Sequence, residues 1–342
     1  MRLTQFTAAD RVRAFGHVII AGIYFYLAQS VSFHAASGLA SGAWAPLVER
    51  SVLLFLLVVG FAAMGRIFNR QREPIRAMGL VVRPGWKREF GLGAALGWGM
   101  LLVSILPLVV SGGLMITFWT IPRQFGILLI DLLILAVAAL AEEVAFRGYP
   151  FQRLIDAMGP SMATIVFSVV FAGVHMFNPS ASRASFLVTV FSSWLLSIAY
   201  LRTRALWVCW GWHFAWNAST CLLFGLPVSG ITKFSPVIQS NTVGPLWMTG
   251  GDYGPEASTV TAIVLLIGMF VVYRATRNLA YLHTQPIIIA AGIPVNLDAM
   301  SSTLAPHHPV APQPLPAGQT LVQIEAAPGP PPPRAQPTEP PE

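Results

Sequence analysis

The sequence contains few charged residues, since Asp, Glu, Lys and Arg make up only 10% of its 342 positions. A soluble globular domain carries roughly 25%, so this composition excludes an ordinary soluble domain. Hydrophobic residues reach 55%, and the mean hydropathy is +0.64. The chain is therefore predicted to be an integral membrane protein with the lipid bilayer around most of its length.

Several other features are scarce or missing. The two cysteines, Cys209 and Cys221, lie in one apolar stretch, which argues against a disulfide framework and favours small core residues. The HExxH motif of zinc proteases is absent, and no Ser or Cys stands in a local nucleophile signature. There is also no evident internal repeat of the kind found in many transporters.

Apolar runs of about 20 residues, the length that crosses a bilayer as a helix, recur along the chain. They predict an all-α, polytopic transmembrane helical bundle of about eight spans. The predicted spans are residues 15–34, 50–68, 90–111, 126–148 (ending there or continuing to about 156), 160–178, 184–201, 205–225 and 258–274. Arg11 and Arg13 before the first run give it some likeness to a signal peptide, but its length and aromatic residues favour a retained span.

Arginine and lysine are distributed unevenly over the predicted loops. With the N-terminus in the cytoplasm, sixteen lie on the cytoplasmic side and four on the outer side, a strong positive-inside bias. The cytoplasmic set is Arg2, Arg11, Arg13, Arg66, Arg70, Arg72, Arg76, Arg83, Lys87, Arg88, Arg147, Arg153, Arg202, Arg204, Arg274 and Arg277. The outer set is Arg50, Arg123, Arg183 and Lys233. Topology thus explains the net charge of +7 without a nucleic-acid partner, and both termini are predicted to be cytoplasmic.

Changes in composition divide the chain into three predicted parts: two N-terminal spans in residues 1–74, a core in 75–282 and a tail in 283–342. The tail is rich in Pro and Ala and is predicted to be a disordered cytoplasmic segment. It is either a solvated linker or the ligand of a polyproline-binding partner. Among the loops, 112–124 is predicted to be an interfacial or re-entrant piece, and 226–257 to cap a cavity.

Three ionisable residues, Glu142, Glu143 and Arg147, interrupt one of the most apolar regions. A charge at bilayer depth costs at least roughly 2.5–3.5 kcal/mol, so such a group indicates function. On a helix Glu143 and Arg147 can pair, whereas Glu142 points about 100° away. Glu142 is thus predicted to be a free carboxylate suited to general base or acid chemistry. The alternative is a helix end at the headgroups, with Arg147 snorkelling into them.

Two further stretches carry polar residues inside apolar spans. His175 is alone on its span, where a histidine is more often structural, while His213 and Asn217 share one helical face. These side chains meet Glu142 near mid-membrane if the fourth helix continues past Gly148 or if the site is recessed. If the helix ends at Gly148, the glutamates lie near one membrane boundary and His175 near the other.

The residues leave more than one chemistry open. A carboxylate base, an imidazole that helps to activate water, and a second imidazole with an amide to bind an oxyanion would hydrolyse amide bonds. Alternatively, Glu142, His175 and His213 would hold a divalent metal such as zinc. Two other functions use the same polar residues, a membrane partner with a polar helix interface and a proton-coupled transporter.

The three polar stretches together resemble a known family. EEVAFR (Glu142–Arg147), FAGVH (Phe171–His175) and HFAWN (His213–Asn217) are similar to the EExxxR, FxxxH and HxxxN motifs of the CPBP family. These proteins are the CAAX proteases and bacteriocin-processing enzymes, also called the Abi family. The resemblance covers roughly residues 75–275, and the Gly148-Tyr149 pair and the Gly254–Ser258 stretch are similar to bacterial members.

This resemblance implies an intramembrane endopeptidase of the bacterial cytoplasmic membrane. By motif position it implies that Glu142 is the catalytic glutamate and that Glu143 and Arg147 are its supporting pair. It also implies that His175 activates water or binds metal, and that His213 and Asn217 hold the oxyanion. The implied partner is a peptide or membrane-protein substrate, bacteriocin-like peptides included. A prenylated substrate is not implied for a bacterial member, and metallo-type and glutamate-type mechanisms both remain open.

Overall fold

The computed structural model describes residues 7–234, 237–277, 279, 287–288 and 294–295, and α-helices make up most of this part. The helices are α1 (Ala8–Leu39), α2 (Ala45–Asn69), α3 (Pro74–Ala77), α4 (Trp86–Val110), α5 (Pro122–Arg147), α6 (Tyr149–Met158), α7 (Pro160–His175), α8 (Arg183–Thr203), α9 (Trp207–Ala218), α10 (Leu246–Thr249) and α11 (Thr259–Ala275). Single turns of other helix types lie at Gly42–Trp44, Ser219–Leu223, Gly251–Tyr253 and Pro255–Ala257. The predicted all-α helical bundle is confirmed.

Each of the eight predicted spans falls on a helix, although the helices differ in length. By length and apolar composition, five segments of the described part can cross a membrane: Ala8–Leu39, Gly42–Asn69, Trp86–Val110, Pro122–Met158 and Arg183–Thr203. The helices α7 and α11 are apolar but shorter. Helix α9 has only 12 residues, fewer than the roughly 17–25 of a full crossing, and the π-helical turn Ser219–Leu223 lengthens it.

The fourth span continues past Gly148, but with a break. Helix α5 ends at Arg147, and Gly148 has φ −75° and ψ −133°, which is not helical. A side chain at Gly148 would clash with the carbonyl oxygen of Val144, so glycine is needed at this junction. Helix α6 then starts at Tyr149, whose hydroxyl donates to Asn69 Oδ1 at 2.8 Å. The end of α2 therefore holds α6 in place.

Helices α4 and α9 pack unusually closely. Side chains added at Gly93 or Gly97 of α4 would clash with backbone carbonyl oxygens of α9, and one at Gly211 of α9 would clash with α4. Small residues at such positions let two helix backbones approach each other in a membrane. This contact fixes the position of α9, which carries His213 and Asn217.

The N-terminal helices belong to the same packed core. Buried residues of α1 and α2, such as Ala28 and Phe61, join one apolar cluster with residues of α5 to α9. The Phe61 ring stacks on Tyr149 with 6.0 Å between centroids, and Phe25 lies edge-on to Phe146 at 6.1 Å. The α1–α2 hairpin therefore forms one wall of the bundle.

The 112–124 connector contains a strand rather than only an interfacial or re-entrant piece. Strand β1 (Leu114–Phe118) pairs antiparallel with β2 (Ile238–Thr242), with Leu114 opposite Thr242. The alternation of apolar and polar side chains is weak in both segments, so sequence gave little sign of this ribbon. A second, two-residue pairing joins β3 (Ile287–Ile288) to β4 (Pro294–Val295). Apart from these short strands, the predicted tail 283–342 lies outside the described residues, and its division from the core stays a prediction.

Candidate functional site

The end of α5 carries a buried ion pair that holds three helices together. The side chains of Glu143 and Arg147 are 0% and 1% exposed, and Nη1 of the arginine lies 3.3 Å from Oε1 of the glutamate. The other terminal nitrogen, Nη2, donates to Ser193 of α8, to its hydroxyl at 2.8 Å and its carbonyl at 3.2 Å. The guanidinium also lies over the ring of Phe171 of α7, 4.9 Å from its centroid. This geometry agrees with the pairing predicted from the four-residue spacing.

Glu143 also connects α5 to α9. Its Oε1 atom lies 2.7 Å from Nδ1 of His213. An ionised carboxylate only accepts hydrogen bonds, so Nδ1 carries the proton and donates it to Glu143. The second ring nitrogen, Nε2, is thereby turned towards Glu142, with 3.7 Å between it and Oε2. The buried carboxylate therefore fixes both the position and the tautomer of His213.

Glu142 has a different environment from its neighbour. Its side chain is 33% exposed and lines a cavity of about 290 Å³. Its Oε2 atom is buried and has no hydrogen-bond partner among the described residues. Adjacent residues of one helix thus have separate environments, because consecutive side chains point about 100° apart. Glu143 is held by an arginine, whereas Glu142 lines the cavity with His213 Nε2 at 3.7 Å from its Oε2 atom and no hydrogen bond to that oxygen in the described residues.

The same cavity brings together the other predicted residues. His175 at the end of α7 and Asn217 on α9 line it together with Glu142 and His213. Nδ1 of His175 lies 2.8 Å from the carbonyl oxygen of Phe171, so this nitrogen is the donor and Nε2 is left as an acceptor. Four of the six predicted site residues therefore line one cavity, and Glu143 and Arg147 support them from behind.

Glu256, which sequence reasoning did not assign to the site, lies on the wall of this cavity. Its Oε1 accepts from the indole N–H of Trp216 at 2.9 Å. Its Oε2 accepts from the backbone N–H and the hydroxyl of Ser229, at 2.6 and 2.7 Å. Ser229 has φ +50°, a strained conformation for a residue with a side chain. Glu256 thus fastens the 226–257 loop to α9, and the lining by Val228, Ser229 and Ile231 agrees with the predicted capping by this loop.

The α1–α2 hairpin supplies a further part of the wall, through Phe25, Gln29, Arg50 and Leu53. This contribution had no local signal in the sequence. The sequence predicts Arg50 only as a charge of the outer loops. Helix α1 and helix α2 reach the cavity only because they pack beside α5 and α6.

The described residues do not fit a three-ligand metal site. Glu142, His175 and His213 all line the cavity, but no group of three His, Cys, Asp or Glu side chains in the described part is spaced to hold one ion. Nε2 of His213 and Oε2 of Glu142 lie 3.7 Å apart.

Comparison with known proteins adds one match. Residues 124–219 match the family model described as type II CAAX prenyl endopeptidase Rce1-like. The matched range runs from α5 into the turn after α9 and contains all six predicted site residues, but not the α1–α2 hairpin or Glu256. No curated protein and no solved structure matches the chain.

Proposed function

This chain belongs to the CPBP, or CAAX protease, family through residues 124–219, and on that premise we propose that it is an intramembrane endopeptidase that uses Glu142 to activate water. The observation that carries the proposal is the single cavity lined by Glu142, His175, His213 and Asn217. Three separate helices supply these side chains, and Oε2 of the carboxylate among them has no hydrogen-bond partner in the described residues. An unpaired carboxylate beside donors for a developing negative charge is the arrangement that hydrolysis of an amide requires.

The proposed reaction starts with a water molecule between Glu142 and His175. Glu142 takes one proton from the water, and the other O–H of the water donates a hydrogen bond to Nε2 of His175. The water oxygen then forms a bond to the carbonyl carbon of the substrate. Nδ1 of His175 already donates to the Phe171 carbonyl, which leaves Nε2 free to accept.

The carbonyl oxygen becomes negatively charged in this step and needs hydrogen-bond donors. The amide of Asn217 and a protonated Nε2 of His213 supply them, since both residues line the cavity from one face of α9. Glu143 balances the charge of the protonated imidazole through its 2.7 Å contact with Nδ1. The C–N bond then breaks as Glu142 returns its proton to the departing amine, which regenerates the carboxylate.

We propose a membrane-associated peptide as the substrate, on the bacterial cytoplasmic membrane and with both chain termini in the cytoplasm. The positive-inside distribution of charges supports this orientation, in which the 226–257 loop covers the cavity from the outer side. Protease accessibility of the C-terminal tail in inverted and in right-side-out vesicles checks it. Protection of the tail in inverted vesicles would contradict the orientation.

The proposal is tested with purified protein in phospholipid vesicles and a set of internally quenched peptides. The set includes peptides that end in Cys, two aliphatic residues and a variable residue, with and without a prenyl group, and bacteriocin-like peptides. We expect Glu142→Gln to lower cleavage by about 10²–10⁴-fold, the range for a general acid or base, without changing the melting temperature. Glu73→Gln is the matched control, because Glu73 is exposed and does not line the cavity.

Two results would overturn the assignment. Full activity of Glu142→Gln would remove the glutamate from the reaction. The second result is a Glu142→Gln variant with a lower melting temperature and unchanged cleavage per folded molecule. It would favour a role of the polar cluster in helix packing, as in a non-catalytic membrane partner.

A further inference from the structure

A second cavity, of about 220 Å³, lies where helices α6 and α8 end, and it shares no lining residue with the cavity of the proposed active site. Charged and polar side chains contribute much of its wall: Gln152, Arg153 and Asp156 of α6, Tyr200 of α8, and Arg204, which caps α8. Both helices are the last part of segments that are long and apolar enough to cross a membrane. The cavity is therefore at a membrane boundary, where lipid headgroups lie.

The guanidinium of Arg153 is largely buried, but few of its donors are used. Its side chain is 14% exposed, Nη1 lies 2.9 Å from Oδ2 of Asp156, and the group lies over the ring of Tyr149. Its Nε atom is buried and has no hydrogen-bond partner in the described residues. By contrast, Arg83 makes four hydrogen bonds and Arg147 three. A guanidinium has several N–H donors, and burying donors without acceptors is costly, so Arg153 has room for an anion.

Tyr200 offers a further donor at the same cavity. The side-chain amide of Gln152 donates to the carbonyl oxygen of Ala77 and to the hydroxyl of Tyr200, the latter at 2.8 Å. The hydroxyl of Tyr200 is the acceptor in this contact, and its own hydrogen has no acceptor among the described residues. A phenolic hydroxyl can donate as well as accept. Gln152 thus holds the hydroxyl in place and leaves its O–H for a ligand.

Positive charge exceeds negative charge among the described residues that line this cavity. Arg153 and Arg204 contribute two guanidinium groups, and Asp156 is the single carboxylate. Arg204 has a further interaction of its own, so the inference rests on Arg153. Cations near the C-terminal end of a helix are stabilised by the helix dipole. The dipole explains the sign of these charges, but it does not explain a buried N–H without an acceptor.

We propose that this second cavity binds the phosphate group of an anionic phospholipid, with Arg153 as the principal ligand and the Tyr200 hydroxyl as a second donor. Guanidinium groups match phosphate oxygens with parallel N–H donors. Basic pockets between membrane helices near the cytoplasmic surface are typical sites for anionic headgroups, and the distribution of arginine and lysine predicts that α6 and α8 end on that side. The lipid site is separate from the proposed peptidase site and does not depend on it.

The test measures binding of a fluorescent phosphatidylglycerol to the purified full-length protein in detergent micelles, with unlabelled phosphatidylglycerol, phosphatidylcholine and inorganic phosphate as competitors. Phosphatidylglycerol should compete about tenfold or more better than phosphatidylcholine, because the choline group brings its own positive charge to the cavity. Equal competition by the two lipids would show non-specific lipid binding. Inorganic phosphate that competes as well as phosphatidylglycerol would show a site for free phosphate. Either result would overturn the proposal.

Arg153→Gln should weaken the binding of phosphatidylglycerol by about tenfold or more, the size expected for hydrogen bonds to a charged group. Arg72→Gln is the matched control, because it removes one positive charge from the same predicted side of the membrane. Arg72 is exposed and does not line this cavity, so its variant should bind like the wild type. Equal losses in both variants would indicate only a general attraction between basic residues and anionic lipid. Unchanged binding by Arg153→Gln would also overturn the proposal.

Asp156→Asn separates loss of the site from loss of the fold, because its expected effect has the opposite sign. The change removes the carboxylate that competes for Arg153, so phosphatidylglycerol should bind a few-fold more tightly, whereas a misfolded protein would bind it less. Tyr200→Phe removes only the hydroxyl and should weaken binding a few-fold. Binding by Asp156→Asn that is no tighter than that of the wild type would refute the phosphate site. Unchanged binding by Tyr200→Phe would refute the role of Tyr200 as second donor.

Discussion

Two buried arginine–glutamate pairs lie in different parts of this molecule and have different surroundings. In the first, Arg83 donates to Glu89 through Nη2 at 2.7 and 2.8 Å and through Nε at 3.1 Å. In the second, Arg147 makes a single contact of 3.3 Å with Glu143. Both pairs are largely withdrawn from solvent, with side-chain exposures of 12% and 4% for the first and 1% and 0% for the second.

The difference between the pairs lies in what else each member contacts. In the first pair both carboxylate oxygens of Glu89 accept from Arg83, which also donates to the Thr203 carbonyl at 3.3 Å. In the second pair, Arg147 also holds Ser193, and the same oxygen of Glu143 accepts from His213. Burial of an ion pair is thus poor evidence of function, whereas a carboxylate shared with a histidine beside a cavity points to chemistry.

The largest expected effect is the difference in kcat between the variants Arg147→Lys and Arg83→Lys. Lysine keeps the charge but cannot reproduce the planar set of donors, so each change should lower the free energy of unfolding by roughly 1–3 kcal/mol. Only Arg147→Lys should also lower kcat, by about 100-fold, because it displaces Glu143 and with it His213. Thermal unfolding and cleavage per folded molecule are the two measurements. Equal loss of kcat in both variants would erase the distinction.

An intermediate effect is expected where α9, the helix of His213, meets α4. Gly97→Ala places a methyl group against the carbonyl oxygen of Trp212, and such overpacking costs roughly 1–3 kcal/mol. The shift of α9 should lower kcat/KM by about tenfold. Gly99→Ala is the matched control, since nothing lies within 4 Å of the added atom, and alanine is favoured over glycine in a helix by roughly 1 kcal/mol. Normal activity of Gly97→Ala would show that the site tolerates movement of α9.

The smallest effect is expected from Glu256→Gln. Glu256 differs from Glu89 and Glu143 because its hydrogen-bond partners in the described residues are Trp216 and Ser229 and not an arginine. A glutamine has one acceptor atom in place of two, so it loses the contacts of either Trp216 or Ser229. We expect a loss of roughly 1–2 kcal/mol in stability and a rise of a few-fold in KM with kcat retained. A loss of kcat as large as that of Glu142→Gln would place Glu256 in the reaction itself.

Part of this site was predictable because it depends on local spacing. Glu143 and Arg147 pair one helical turn apart, and the 100° step between neighbours separates Glu142 from that pair. The shared face of His213 and Asn217 follows from the same periodicity. Other features depend on contacts between distant parts of the chain. The placement of Arg50 and Glu256 on the cavity wall, and the pairing of β1 with β2, had no local sign in the sequence.

The sequence by itself determined that this protein is a membrane-embedded helical bundle and which residues are candidates for its chemistry. Long apolar runs must become helices in a bilayer, because the backbone finds no other hydrogen-bond partners there. Only the tertiary structure decided that the candidates share one cavity, that His213 donates to Glu143, and that Arg50 and Glu256 line the same cavity. Those relations arise from helix packing, which is set by shape complementarity over the whole bundle and not by any one segment.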